Sequence, residues 1–461
     1  MNAILDAILA FSDWLWGLPM LIILVGGSMF LTIRLGFMQF RYFGFAMSET
    51  FGKLFARDTK GVGEGTVTPW QAASAAIASA IGAANIVGVP VAIALGGPGA
   101  VFWMWVIAFV GAGAKITEVA LGVKYREVNE VGEYVGGPMY YLRKGIGGTA
   151  GKVLAVLFAF FLMIELVPSI ATQSASVIGS AATLNIPGWL AGAVLTAIVG
   201  LVVFGGITRI TQVTEKLVPF MAVLYVLAAF IVILVNITEL PAAFATIFTS
   251  AFSGKAAVGG FAGATLAAAI RNGTARGVYS NESGLGTAPI AHSASQTDHP
   301  IRQSFWGIFE NVVDTLIVCT MTALLVIITG AYIDLPAAEA ASMPALAFGT
   351  VFGETLSGTV VTLGISLFVL STVIVVVYYG EKQAEFLFGT KFSYVMRVVY
   401  VLAVFAGAFG TIEVLYQFLD IMLATLVIPN MIGLVLLSGE VRELKNDFFG
   451  NPKYYPKAKA K

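Results

Sequence analysis

The sequence predicts an all-helical integral membrane protein that crosses the bilayer eleven times. Of its 461 residues, 58% are hydrophobic and only 11% are charged, and its mean hydropathy is +0.88. Soluble domains carry about 25% charged residues, so this composition indicates a membrane protein with several spans. Lysine and arginine also concentrate in alternate loops, which is typical of a chain that crosses a membrane repeatedly.

Eleven apolar runs are candidate spans, at about residues 14–33, 68–95, 100–123, 153–182, 189–204, 217–235, 258–278, 305–331, 360–379, 395–409 and 415–437. The first run precedes two sets of five. We therefore predict an extra N-terminal transmembrane helix and inside interfacial segment over 1–65, a five-helix repeat over 66–240, a second repeat over 241–438 and a basic cytoplasmic tail over 439–461. Because five is odd, the two repeats have opposite orientations in the membrane, as inverted repeats do.

The basic residues predict the orientation. With the N-terminus outside, the inner loops and the C-terminal tail hold nearly all lysines and arginines, whereas the opposite side keeps only Lys255. Lysine and arginine favour cytoplasmic loops, so we predict a cell-membrane protein with its N-terminus outside and its C-terminus in the cytoplasm. Two inner loops, at 37–55 and 136–144, mix aromatic with basic residues and are expected to form helices in the membrane interface.

Composition also argues against several classes of function. A net charge of zero gives no reason to expect binding to nucleic acid. Cys319 is the only cysteine, so the chain cannot form an internal disulfide. His292 and His299 are the only histidines, which disfavours a histidine-based metal site. No cofactor and no obligatory protein partner is evident in the sequence.

The second apolar run contains an interruption at residues 79–90. It combines two glycines, the amide of Asn85 and Pro90, each of which weakens a helix. An unpaired backbone group in hydrocarbon costs several kcal/mol, so an interrupted span needs protein, water or a ligand to satisfy it. The pattern predicts a discontinuous helix whose freed backbone groups face a cargo, although small residues also serve close helix packing.

Residues 267–278 repeat this pattern of small residues, glycine and a polar residue about 190 positions later. The second interruption is expected at Asn272, Gly273 and Thr274. A matched pair of interrupted spans in two halves of a chain is typical of a transporter and indicates its binding site.

Four segments carry a family resemblance: 96–111, 136–141, 275–292 and 378–382. In these segments the chain resembles the sodium:alanine (alanine/glycine:cation) symporter family, and the matches extend over nearly the whole chain in order. The resemblance implies a fold similar to the leucine transporter type, with one extra helix and two inverted five-helix repeats. It also implies import of a small neutral amino acid together with sodium.

The predicted substrate site combines both interruptions. Backbone amides at Ile81, Gly82 and Ala83, at the positive end of a half-helix, suit the substrate carboxylate. Carbonyls and side-chain oxygens of the second interruption would accept the ammonium group. Gln173 lies within the fourth run, where the family resemblance also places a glutamine that faces the substrate. Its alternative role is a hydrogen bond between helices.

The predicted sodium site needs oxygen ligands and no proton chemistry. Ser371 and Thr372 lie in an otherwise apolar run. Similar folds pair two such hydroxyls with carbonyls of the first broken helix, so we predict sodium ligands at these residues and at the carbonyls of Ala80 and Ala83. The alternative is that each hydroxyl bonds to its own helix backbone.

Charged residues inside the apolar runs need a partner, a cavity or a proton, since an unpaired charge at the bilayer centre costs about 2.5 to 3.5 kcal/mol on insertion scales. Lys115 and Glu118 are three residues apart, and we predict that they pair. Glu282 is expected to pair with Arg276 at the inner mouth. The roles of three further acids are left open: Glu165, Glu310 and Asp314.

The sequence therefore predicts a sodium-coupled importer of alanine or glycine that works by alternating access. Two variants remain open, a proton-coupled importer that uses Glu165 or Asp314 and a sodium-coupled importer of glutamine. An intramembrane enzyme is disfavoured because no nucleophile and base lie together at membrane depth in the sequence. A channel would more naturally show repeated polar or charged rings.

Overall fold

In the computed structural model the described chain is almost entirely helical. The structure describes residues 10–12, 14–55, 62–182, 184–252, 266–335, 337–409 and 412–458. Part of the predicted run at 258–278 lies outside these ranges.

The helices follow one another as α1 (Leu18–Arg34), α2 (Met38–Arg41), α3 (Phe43–Glu49), α4 (Phe51–Phe55), α5 (Pro69–Ala80), α6 (Ala84–Gly96), α7 (Ala100–Lys124), α8 (Pro138–Tyr141), α9 (Gly148–Ala182), α10 (Gly188–Val203), α11 (Gly206–Val235), α12 (Leu240–Phe252), α13 (Leu266–Asn281), α14 (Ala288–His292), α15 (Pro300–Ile328), α16 (Ala331–Asp334), α17 (Met343–Phe352), α18 (Glu354–Phe388), α19 (Thr390–Ala406), α20 (Ile412–Leu436) and α21 (Ser438–Gly450). A small antiparallel hairpin, β1 (Glu127–Val128) and β2 (Tyr134–Val135), follows α7.

Several helices have the length and composition of membrane spans. Within the described chain these are α7, α9, α11, α15 and α18, or up to seven spans if the bent pairs α5/α6 and α20/α21 each count as one. The shorter helices α1 and α10 are also apolar. The protein is therefore a multi-pass helical membrane protein, whereas the count of eleven spans stays a prediction. Helix α12 is apolar as well and was missed by the sequence analysis.

The first predicted interruption is confirmed. Helix α5 begins with a capping box in which Thr68 and Gln71 satisfy each other's backbone amides, and Pro69 occupies the first turn, where its missing N–H costs nothing. The helix ends at Ala80 because Ile81 leaves helical geometry, with ψ 89°. Helix α6 then continues at an angle of 49° to α5. The two halves enclose a short stretch of non-helical backbone at Ile81 and Gly82.

The second predicted interruption is wrong in position. Helix α13 runs without a break through Asn272, Gly273 and Thr274. Gly273 serves close packing instead, because a Cβ atom there would lie 2.3 Å from the carbonyl oxygen of Ala100 in α7. The break lies about ten residues later, in the turn between α13 and α14, where φ is 56° at Glu282 and two glycines also have positive φ.

Both inner-loop segments form helices, as predicted. Phe40, Phe43 and Phe51 are exposed along α2 to α4, whereas Tyr140 and Tyr141 of α8 are buried and Tyr141 donates a hydrogen bond to Asn430. The aromatic residues of α8 therefore pack inside the protein rather than facing lipid.

Contacts beyond the N-terminal end of α5 hold the two broken segments together. Glu64 and Val67, which precede α5, form bridges with Thr297 and Ser295, which follow α14. Arg126 spans the same contact, donating to the carbonyls of Ser295 at 2.6 Å and Glu64 at 2.7 Å. Partial burial lowers the pKa of Arg126 from its ordinary value, and the contacts with Tyr134 and Glu64 oppose that shift. This end of the protein is therefore closed.

Candidate functional site

A cavity of about 1340 Å³ lies between the broken helices, α9, α17 and α18. Its closed end, here called the floor, carries Ser79, Glu282 and Thr287, and its other end reaches α17 and Glu354 at the start of α18. Of the predicted site residues, those that line the cavity are Ala80, Gly82, Ala83, Gln173 and Thr372. The described residues that line the cavity do not include the other predicted site residues, which are Ile81, Asn272, Gly273, Thr274 and Ser371.

Gln173 and Thr372 meet at the first break. A Cβ atom on Gly82 would lie 2.9 Å from Gln173 Oε1 and 3.0 Å from Thr372 Oγ1, so the absent side chain of this glycine makes room for both. The backbone amide of Gly82 donates to Asn85 Oδ1 at 3.0 Å, and that of Ile81 donates to Ile77. Two of the three amides predicted to bind a carboxylate thus have protein partners in this conformation.

The hydroxyl of Thr372 faces the backbone of α5. Its Oγ1 lies 2.9 Å from the carbonyl oxygen of Ala78, 3.1 Å from that of Ile81 and 3.0 Å from that of Phe368. These oxygens form a neutral group of the kind that binds sodium in transporters with broken helices. The carbonyls in contact with Thr372 are therefore those of Ala78 and Ile81, rather than the predicted carbonyls of Ala80 and Ala83.

The second predicted hydroxyl ligand is turned within its own helix. Ser371 Oγ donates to the carbonyl of Phe368 at 2.8 Å and lies 3.2 Å from Met221 Sδ. This is the backbone hydrogen bond that serine commonly makes in a helix. Ser371 and Thr372 therefore both contact the carbonyl oxygen of Phe368, which places Ser371 next to the oxygen group.

The residues of the predicted ammonium site are not among the described residues that line the cavity. Asn272 Nδ2 donates to the carbonyl of Ala268 in its own helix at 2.9 Å, and Gly273 packs on α7. Thr274 is buried. The error has a physical reason, because small and polar residues that weaken a helix also allow two helices to pack closely.

Glu282 provides a carboxylate at the cavity floor. Its Oε2 accepts a hydrogen bond from Thr287 Oγ1 at 2.6 Å and lies 3.1 Å from Ser79 Oγ. Ser79 Oγ also lies 3.2 Å from Tyr379 OH. The predicted pair with Arg276 is wrong, because no ion pair joins the two within the described chain, and the Arg276 guanidinium instead lies 5.8 Å from the ring centroid of Tyr279.

Asp314 anchors the first break to α15. Its oxygens accept hydrogen bonds from Asn85 Nδ2 at 2.6 Å, Ser280 Oγ at 2.7 Å and Thr315 Oγ1 at 2.7 Å. All four side chains are buried. Because Asn85 also accepts from the Gly82 amide, this network fixes the geometry of the break from outside the cavity.

Lys115 pairs with a different residue from the one predicted. Its Nζ lies 3.2 Å from Glu310 Oε2, and Glu310 also contacts His292 Nε2. Glu118 instead accepts from the Gly286 amide at 2.9 Å and from Asn430 Nδ2 at 2.7 Å. The predicted pair Lys115 and Glu118 is therefore wrong, since partners from other helices are better placed than the neighbour on the same helix.

Sequence reasoning missed the role of the turn at 281–287. Glu282 and Thr287 reach the cavity because the turn after α13 projects them there, and Glu165 lines another wall with Ser169. The signal that could have found the turn is local, because Gly284 and Gly286 lie within it and both have positive φ.

A helix broken at a cavity, faced by a second break and by an oxygen group, is an arrangement typical of secondary transporters. The fold agrees with the crystal structure of MhsT in complex with L-phenylalanine, at a TM-score of 0.58 and 12% identity, over 84% of this chain and 90% of that chain. The chain belongs to the sodium:alanine symporter family, whose profile matches residues 1–460.

Named relatives support the same class. The sodium/alanine symporter AgcS of Methanococcus maripaludis is 41% identical over 93% of this chain and 94% of its own length. The probable sodium/glutamine symporter GlnT of Bacillus subtilis is 33% identical over 97% of this chain and 91% of its own. The protein is thus a transporter and not an enzyme.

Proposed function

We propose that this protein is a sodium-coupled symporter that imports alanine or glycine by alternating access. The observation that carries the proposal is the contact of Thr372 Oγ1 with the carbonyls of Ala78 and Ile81, next to Gly82 at the cavity. Neutral oxygens of this kind are suited to sodium. The name of the relative AgcS agrees with this substrate and this ion.

Sodium supplies enough energy for accumulation. One sodium ion that moves inward across about 100 mV releases roughly 2.3 kcal/mol. This energy corresponds to about a fifty-fold accumulation of substrate before any chemical gradient of sodium is counted. A single sodium site at Thr372 is therefore sufficient for uphill uptake.

The substrate occupies the cavity beside the first break. The N-terminal end of α6 carries the positive end of the helix dipole, which favours the carboxylate near Ala83, and the Gln173 amide lies against Gly82. The cavity volume of about 1340 Å³ far exceeds that of one alanine. Its walls must therefore close around the substrate, which is the motion that alternating access requires.

The membrane topology is part of the proposal. The proposed topology has eleven spans, the N-terminus outside and two inverted five-helix repeats over 66–240 and 241–438. In this topology the wide end of the cavity faces outward, and the contact between 64–67 and 293–297 faces inward. Labelling of single cysteines in intact cells, in a Cys319→Ser background, tests this topology. Labelling of a cysteine in the 439–458 tail from outside would contradict it.

Glutamine is the second candidate substrate, because the cavity is large and the relative GlnT is named a probable sodium/glutamine symporter. Proton coupling is the other variant, and Glu165, a buried carboxyl group on the cavity wall, favours it. Each variant makes a different prediction for uptake.

The deciding experiment is uptake of radiolabelled alanine, glycine and glutamine into proteoliposomes, under an inward gradient of sodium or of potassium at equal pH. Accumulation of alanine or glycine with sodium alone supports the proposal. Preference for glutamine indicates the second substrate, and uptake driven by a proton gradient without sodium refutes sodium coupling.

A pair of amide variants tests the substrate site. Gln173→Ala is expected to abolish alanine uptake, because this amide lines the cavity at Gly82. Asn272→Ala is the matched control, since its amide bonds to its own helix and does not line the cavity. Equal loss in both variants would contradict the assignment of Gln173.

A further inference from the structure

The turn after α13 holds a glutamate in a backbone conformation that rarely suits one. Glu282 has a φ of 56°, and its amide donates to the carbonyl of Val278 at 2.8 Å, which ends the helix. Glycine or asparagine is the usual residue at such a left-handed helix end. Strained residues of this kind cluster at ligand sites, and here the strain directs a carboxylate to the cavity.

Two hydroxyl groups orient one oxygen of this carboxylate and leave the other oxygen available to a ligand. Thr287 Oγ1 and Ser79 Oγ both donate hydrogen bonds to Glu282 Oε2. Oε1 has no hydrogen-bond partner among the described residues, although the side chain lines the cavity floor. One oxygen is therefore oriented by the protein while the other can accept a hydrogen bond from a ligand.

Acidic side chains outnumber basic ones in the cavity. The described lining residues include three carboxyl groups, those of Glu165, Glu282 and Glu354, and one cationic group, that of Arg276. The Arg276 guanidinium lies against the Tyr279 ring and forms no ion pair with Glu282 within the described chain. The nearby ammonium of Lys115 pairs with Glu310. Buried charges need partners, so a cation in the cavity beside Glu282 would improve the charge balance.

The position of Glu282 suits one end of an amino acid. Ser79, which contacts its Oε2, belongs to the last turn of α5 and precedes Gly82 by three residues. The carboxylate on the floor and the positive end of α6 thus lie on either side of the same break. An amino acid carries a negative and a positive group one carbon apart, which matches this arrangement. Sodium has a separate, neutral group of oxygens at Thr372.

We infer that Glu282 binds the ammonium group of the substrate through a charge-assisted hydrogen bond to Oε1. The inference rests on the proposed function and adds the acceptor that the sequence had placed in the middle of α13. Primary amines of small zwitterions are the ligand class that it selects. Thr287 is a positioning residue that acts by orienting the carboxylate.

The test measures binding of radiolabelled alanine and, separately, of ²²Na⁺ without amino acid, using the purified full-length protein in detergent. Glu282→Gln keeps the size of the side chain and removes its charge. We expect its alanine affinity to fall by a factor of about 10 to 100, because a hydrogen bond to a charged group is lost. Sodium binding without alanine is expected to stay within about twofold of the unchanged protein, because sodium uses neutral ligands.

Two further variants complete the test. Glu354→Gln neutralises a carboxylate at the other end of the same cavity and is expected to bind alanine normally. Thr287→Val removes only the hydroxyl that orients Oε2, and a loss of about threefold to tenfold in alanine affinity is expected. This variant carries the test if Glu282→Gln fails to fold.

Each result has one meaning. Normal alanine binding by Glu282→Gln, or by Thr287→Val if the former does not fold, overturns the inference. A matching loss of sodium binding without alanine also overturns it, since the carboxylate would then bind sodium. Failure of the unchanged protein to bind alanine with sodium refutes the proposed function itself, so the two failures are distinguishable.

Discussion

The substitution Gly82→Ala separates the function of the first break from the stability of the fold. The added Cβ would lie 2.9 Å from Gln173 Oε1 and 3.0 Å from Thr372 Oγ1, so both groups must shift by a few tenths of an ångström. Both contacts are to side-chain atoms rather than to backbone, and the φ of Gly82 is not positive. The free energy of unfolding is therefore expected to fall by only about 1 kcal/mol, at the low end of the usual cost of overpacking.

Function is expected to change far more. If Thr372 rotates away from the new methyl group, its hydroxyl leaves the carbonyls of Ala78 and Ile81, and Gln173 leaves the first break. Loss of one such polar contact costs about 1 to 1.5 kcal/mol, which is about a tenfold loss of affinity. Both ²²Na⁺ binding and alanine uptake into proteoliposomes should show this loss.

Gly179→Ala is the matched control. Gly179 also lines the cavity, in α9, but a Cβ atom there meets nothing within 4 Å. We expect normal sodium binding, normal uptake and slightly higher stability, because alanine favours a helix over glycine. If Gly82→Ala transports alanine with the sodium affinity of this control, the argument from the contacts of Gly82 is refuted.

Three other predictions concern parts of the fold outside the cavity. Gly273→Ala places a Cβ atom 2.3 Å from the carbonyl oxygen of Ala100, so we expect the free energy of unfolding to fall by about 1 to 3 kcal/mol in thermal or denaturant unfolding. Unchanged stability would contradict this tight packing. Lys115→Met removes the ion pair of the buried Glu310 and leaves this carboxylate only its contact with His292, so we expect a loss of about 3 to 5 kcal/mol. Adding Glu310→Gln should restore stability in part, and no recovery would contradict the pairing. Burial lowers the pKa of His299 in the folded protein, so the unfolded chain protonates this imidazole more readily. The free energy of unfolding should therefore fall as the pH drops below about 6.5. If the same pH dependence persists in His299→Asn, His299 is not its cause.

Local backbone chemistry determined the first half of the site. Gly82, Asn85 and Pro90 act on the backbone close to their own positions, so the sequence predicted a broken helix there and the structure confirms it. Composition likewise determined the membrane class, because hydropathy sums over residues and does not depend on which helices meet. The resemblance at 275–292 indicated the family, which the profile over residues 1–460 confirms.

The carbonyls that face Thr372 were predicted two residues away from their observed positions. Sequence predicted that Thr372 would meet carbonyls at the end of α5, and it does, but at Ala78 and Ile81 rather than Ala80 and Ala83. A shift of two residues turns a helix by more than half of one revolution. The facing carbonyls therefore depend on how α5 rotates against α18, which no local pattern specifies.

What the sequence determined by itself is a multi-pass sodium:alanine symporter family member with a helix broken at Gly82. Only the tertiary structure decided where the second break lies and which charges pair. Gly273 packs against Ala100, and Lys115 pairs with Glu310, across 173 and 195 positions of chain. A glycine weakens a helix and also lets two helices approach, and a lysine attracts any carboxylate within reach. The choice between such equivalent local roles is made by distant residues, so it becomes visible only when the helices have packed.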